Sequence, residues 1–156
     1  MEDSVKQQAK AILTAYLEQG KMRKTPERFA ILDAVYTIGH HFSLAELGKI
    51  LEKENFRVSR ATLYNTIELF LRLHLVDRHH LLGETIYEAT LKRREHSHQV
   101  CTVCGEITEI VAPEVMKAID NMKLRRFRKN GYSLYIYGIC STCQAKITRA
   151  SKKKKK

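Results

Sequence analysis

Two Cys-x-x-Cys pairs, Cys101/Cys104 and Cys140/Cys143, stand 35 residues apart in a chain of 156. No other feature limits the possible folds as strongly. The chain has no other cysteines. In a reducing compartment, pairs at this spacing read as metal ligands rather than disulfides. Four thiolates complete a tetrahedral shell with no open position, the structural form of a zinc site. Each pair is expected at a strand end, where a turn presents two thiolates to one ion, and Gly105 suits that turned backbone. Such an ion would staple the ends of the second half together and contribute directly to its folding. A thioredoxin-like redox motif would need one such pair in a βαβ context, not two.

Ahead of the cysteines the pattern is helical. Residues 4–19 carry apolar positions at helical spacing (Ile12, Leu13, Tyr16, Leu17), with Ser4 as expected N-cap and Gly20 after the last turn. Thr25-Pro26 opens a second helix, with Thr25 as cap and Pro26 at the first position. Its apolar stripe is Phe29, Ile31, Leu32, Val35 and Ile38. Ser43 with Glu46 three residues on makes a capping box for a third helix, and Ser59 caps a fourth running to about Leu73. The period then changes to two short strands around Gly83, a hairpin. Three helices followed by a hairpin are the layout of a winged helix, in which the third of those helices enters the DNA groove.

The second half reads as strand, Cys turn, strand, the amphipathic helix Pro113–Lys123, and a strand over Tyr132–Ile139. A β-α-β unit of this size buries too little apolar surface alone and is expected to dimerise. The fold class is therefore α+β. A winged helix-turn-helix domain over 1–89 precedes a small α/β dimerisation and metal-binding domain over 90–150, and a lysine tail covers 151–156.

Net charge is +11, but residues 1–90 carry 12 Lys+Arg against 12 Asp+Glu, so the excess lies in residues 91–156. Five of those charges are Lys152–Lys156, read as a solvated, disordered tail. Global charge thus says little about where an anionic partner binds. Local charge says more: 21–28 nets +3, and 57–65 holds two arginines and no acid. No apolar run approaches the roughly 20 residues needed to span a bilayer, and no leader is evident, so the expected location is cytoplasmic with no membrane partner.

His96 and His98 are two apart, so on a strand both imidazoles face one side and can reach one ion. Glu109 on the neighbouring strand can add a carboxylate. Glu88 ends the wing, and His40 and His41 lie between the second and third helices. His79 and His80, in the wing, read as facing solvent or phosphate rather than as ligands.

In this order, several stretches together resemble the ferric uptake regulator family from about Gly20 to Cys143. They are Arg23-Lys24-Thr25-Pro26-Glu27-Arg28, His40-His41-Phe42-Ser43, Ser59-Arg60-Ala61-Thr62-Leu63-Tyr64-Asn65, Tyr87-Glu88, the run from His96 to Gly105, and Tyr135-Ile136-Tyr137-Gly138. The resemblance implies a homodimeric, cytoplasmic repressor with a regulatory metal site made by His41, Glu88, His96, His98 and Glu109. It implies double-stranded DNA as partner, an A·T-rich palindromic operator. Tyr64 would meet bases, Arg23 a narrow minor groove, and Arg28, Arg57 and Arg60 phosphates, with Asn65 also among the DNA-binding residues. The cofactors it implies are structural Zn2+ and regulatory Fe2+, with Zn2+ or Mn2+ compatible with the same mixed N/O ligands.

There are departures from the family pattern. Glu95, Ser97, Met116 and Tyr132 stand where many relatives have a further His/Asp ligand set. Glu109 stands where the peroxide-sensing branch has Asp. Zinc- or peroxide-responsive regulation within the family is the alternative to iron sensing. A metallo-hydrolase would need an open coordination position and a general base in a cleft, and no further acid or base has a role here.

Overall fold

The computed structural model describes residues 2–92, 97–129 and 132–154. These divide into two compact units, residues 1–94 and 95–156, each taken on its own below.

The first unit orders α1 (Glu2–Gln19), α2 (Pro26–Thr37), α3 (Leu44–Lys53), α4 (Arg60–Arg72), β1 (Val76–Leu81) and β2 (Glu84–Ala89). Pro26 occupies the first turn of α2, where its missing N–H costs nothing, although the Thr25 side chain makes no cap bond. Ser43 Oγ accepts from the Glu46 amide and Ser59 Oγ from the Thr62 amide, so both expected caps satisfy an otherwise orphaned donor. Ser4 does not cap α1, which begins at Glu2.

One face of each helix converges on a single core. Leu13 and Leu17 of α1, Ile31, Leu32 and Val35 of α2, Leu47 and Leu51 of α3, and Ile67 and Phe70 of α4 are all buried together. Each such side chain contributes roughly 1.5–3 kcal/mol on leaving water. The Tyr36 hydroxyl donates to the Leu75 carbonyl oxygen (2.8 Å) and ties α2 to the wing. Burial pushes its pKa up to about 12, so it stays a neutral donor.

β1 and β2 pair antiparallel from Val76↔Ala89 to Leu81↔Glu84. The two-residue turn holds Leu82 at φ 51° and Gly83 at φ 83°. Both central residues have positive φ, the twist that suits a tight hairpin. Gly83 takes that conformation freely, whereas Leu82 does not. Leu82 is half exposed, so Leu82→Asn loses little burial. It is expected to raise stability by about 1 kcal/mol, read as a shift in the denaturation midpoint of the first unit. An unchanged or lowered midpoint would mean the turn carries no strain.

The second unit holds β3 (Ser97–Cys101), β4 (Ile107–Ile110), α5 (Pro113–Asp120), β5 (Leu134–Gly138) and α6 (Ser141–Lys154). Its sheet has the order β4-β3-β5, with β3 antiparallel to β4 and parallel to β5. α5 supplies the crossover that a parallel pair requires. Part of the lysine run differs from the sequence reading: Lys152–Lys154 continue α6 as helix, and Lys155 and Lys156 lie outside the described residues. Lysine is a good helix former, so an established helix extends into it readily.

Candidate metal centres and nucleic-acid interface

β3 delivers Cys101 at its end, and the turn that follows carries Cys104. Gly105 adopts φ 77°, and its amide donates back to the Cys101 carbonyl oxygen (2.9 Å). Cys140 lies between β5 and α6, and Cys143 sits in the first turn of α6. Because β5 runs parallel beside β3, both pairs arrive at the same end of the sheet. The four Sγ atoms lie within 4.8 Å of one another, and all are free thiols. Cys104 and Cys140 Sγ are 3.8 Å apart.

The Cys140 amide donates to Cys101 Sγ (3.3 Å). That bond, with help from the Cys104 amide, holds the Cys101 thiol down at about 6. Cys143 moves the other way, up to about 12, because the neighbouring Cys140 side chain and burial both disfavour a second anion there. Four thiols this close cannot all ionise without a cation among them. The donor set is all sulfur and closed, which fits zinc.

In the first unit a second cluster forms around Glu88. An isolated antiparallel bridge pairs Phe42 with Tyr87, through Phe42 N–H to Tyr87 O (3.0 Å) and Tyr87 N–H to Phe42 O (2.8 Å). This pairing sets His41 opposite Glu88, and His41 Nε2 lies 3.3 Å from Glu88 Oε2. Across the hairpin Glu88 opposes Asp77, which makes His79 its diagonal neighbour on the same face. His79 Nε2 lies 3.4 Å from the same Oε2.

His41, His79 and Glu88 thus form a group able to hold a metal ion, the only one besides the four cysteines among the described residues. This corrects the reading of His79 as facing solvent or phosphate: it is 7% exposed. His80 does face solvent, and its Nδ1 is within hydrogen-bond distance of Thr85 Oγ1 (3.2 Å). The two-residue turn at 82–83 sets a register that puts 79 and 88 on one face, but His41 joins them through the Phe42–Tyr87 bridge, which local spacing does not carry.

In the second unit His98 opposes Glu109 across β3 and β4 and is buried, its ring stacked on Tyr135 at 5.4 Å. Glu109 is exposed. His96 lies outside the described residues.

The expected DNA-contacting residues fall on the first unit. Arg60 opens α4, and Tyr64 and Asn65 follow on its outer side. Tyr64 is 51% exposed while Leu63, Thr66 and Ile67 are buried, so α4 presents Tyr64 and Asn65 away from the core. Arg57 is exposed ahead of α4, and Arg23 is exposed ahead of α2. Arg28 Nη1 donates to the Arg23 carbonyl oxygen (3.0 Å), which orders the loop before α2.

The ferric uptake regulator family profile matches residues 19–137. The ferric uptake regulation protein of Neisseria meningitidis serogroup A is 35% identical over 142 residues, covering 86% of this chain and 95% of that protein. The Pseudomonas aeruginosa ferric uptake regulator, solved with manganese, superposes with a TM-score of 0.69 at 25% identity, over 82% of this chain and 97% of that one. The Helicobacter pylori regulator gives a TM-score of 0.71 at 17% identity, over 92% and 94%, and speaks for the fold alone. Sequence, winged-helix layout and thiol cluster agree, and the chain belongs to the ferric uptake regulator family: it is a metal-responsive, DNA-binding regulator and not an enzyme.

Proposed function

We propose that the chain is a homodimeric repressor of iron-uptake genes, with Fe2+ as corepressor and one structural Zn2+ per subunit on Cys101, Cys104, Cys140 and Cys143. The observation that carries the reading is the meeting of His41 and Glu88 beside the DNA-reading helices. An ion bound by that pair would be held within the DNA-binding unit itself. The regulatory shell is assigned to His41, Glu88, His96, His98 and Glu109. Its mixed imidazole and carboxylate donors suit Fe2+, and Mn2+ and Zn2+ as well.

The dimer reading rests on the second unit's surface. β5 is an edge strand whose Ile136 and Tyr137 are exposed, and Val111, Met122 and Phe127 are exposed too. An apolar edge strand invites a second copy. Among the described residues no helix is long and apolar enough to cross a membrane. Four free thiols suit a reducing cytoplasm, where we place the protein.

For the DNA, Tyr64 and Asn65 are assigned to base edges, Arg23 to an A·T-rich minor groove, and Arg28, Arg57 and Arg60 to phosphates. Arg60→Ala is expected to weaken binding evenly across sequences and to reduce the slope of log affinity against log salt by about 1. An unchanged slope would remove Arg60 from the phosphate contacts. The test of the whole reading is fluorescence anisotropy on an A·T-rich palindrome with Fe2+, Mn2+ and Zn2+ in turn. Tightening by Fe2+ supports iron sensing, tightening by Zn2+ alone replaces it with zinc sensing, and equal affinity at every metal level removes the switch.

A further inference from the structure

We propose that His79 is a metal ligand, and that the DNA-reading unit carries its own three-donor cation site of His41, His79 and Glu88. The inference rests on the metal-sensing reading and extends it. His79 adds a ligand outside the five assigned above, and the unit then needs none of His96, His98 or Glu109 to capture an ion.

The frame for this trio is backbone, not chance. The Phe42–Tyr87 bridge sets His41 opposite Glu88, and the hairpin register sets His79 diagonal to it. Both imidazoles direct Nε2 at one carboxylate oxygen, at 3.3 and 3.4 Å. Two donors bound to one ion at ordinary metal–nitrogen or metal–oxygen lengths, at octahedral to tetrahedral angles, stand roughly 2.8–3.4 Å apart. The two separations to Glu88 fall within that range. They are also longer than most strong charged hydrogen bonds, which close to roughly 2.7–2.9 Å. The rings meet edge to face, with centroids 5.6 Å apart, so neither blocks the other from a common point.

Burial sharpens the argument. His79 and Glu88 are 7% and 8% exposed. A divalent ion at their common point would be held by donors largely withdrawn from water. Two imidazoles and one carboxylate with positions left open suit ferrous iron and similar first-row divalent ions.

The experiment uses the full chain with its zinc in place and Co2+ as the probe. In a His96→Ala/His98→Ala/Glu109→Ala background, one Co2+ per chain is expected to bind still, with a d–d absorption band. Adding His79→Gln is expected to weaken that binding at least tenfold, while His80→Gln leaves it unchanged. Zinc content and far-ultraviolet circular dichroism verify that each variant is folded. As a second readout, His79→Cys is expected to give a thiolate-to-cobalt charge-transfer band, which only a residue bonded to the ion can produce. No bound Co2+ in the triple background, equal affinity with His79→Gln, or no such band from a folded His79→Cys chain would each overturn the proposal. None of these readouts involves DNA. Failure of the repressor reading would instead show as metal-independent operator binding by the unmodified chain.

Discussion

Replacing Cys140 with serine is expected to strip the chain of its tightly held zinc and to melt the second unit while the helical unit stays folded. The reason lies in how little that unit buries. Its buried described residues are Ser97, His98, Val100, Cys101 and Cys143, two of them thiols of the cysteine cluster. By contrast Val111, Met122, Phe127, Ile136 and Tyr137 remain exposed. The ion must then supply what the core does not. Structural zinc is worth about 10–16 kcal/mol in small domains that fold around it, far above what such a core provides. Metal analysis should fall from one zinc per chain to none, and amide exchange in β3, β4 and β5 should lose its protection. Protected β3 amides in a zinc-free chain would refute the stapling role.

Zinc affinity should also rise with pH. Cys143, with its pKa near 12, must release a proton to bind, whereas Cys101, near 6, is already a thiolate at neutrality. A ligand that must lose a proton binds more tightly as protons become scarce, so the affinity should climb by about tenfold or more per pH unit above 7.

The second large effect concerns DNA. The unmodified chain is expected to bind its operator about 5–150-fold more tightly with regulatory metal than without, the usual range of coupling between two ligands. Glu88→Ala should keep its zinc and its fold yet respond less than twofold. Glu88 is the residue to remove because two histidines address its one oxygen, so its loss dismantles the cluster in a single step. Reciprocity supplies an internal check: operator DNA must raise metal affinity by the same factor. A titration in which DNA leaves metal affinity untouched would sink the coupling even if both ligands bind well.

Much of the fold was legible because the punctuation is strong and local. Pro26, the Ser43–Glu46 pair and Ser59 each mark a helix start through a bond or a missing donor that depends on only a few residues. The cysteine pairs were legible for a similar reason, since thiols at that spacing have few other uses. The departures come from contacts that no local pattern carries. His79 sits in a strand where polar residues normally face water, and it is buried because residues 41 and 42, distant in sequence, lay a short bridge along β2. Ser4 resembles a cap only if the helix starts after it, and α1 starts two residues sooner. A run of lysines by itself suits a solvated tail, whereas the helix running through Ser141–Ala150 extends into Lys152–Lys154.

The bridge between Phe42 and Tyr87 has an evolutionary consequence. Its two bonds are made by amides and carbonyls, groups that every residue but proline offers in full. The bonds of the bridge therefore do not depend on which side chains stand at 41, 79 and 88. A lineage could exchange imidazole for thiol, or a longer acid for a shorter one, and retune which ion is preferred without disturbing the frame. Relatives with other side chains at these three positions would then keep the same bridge.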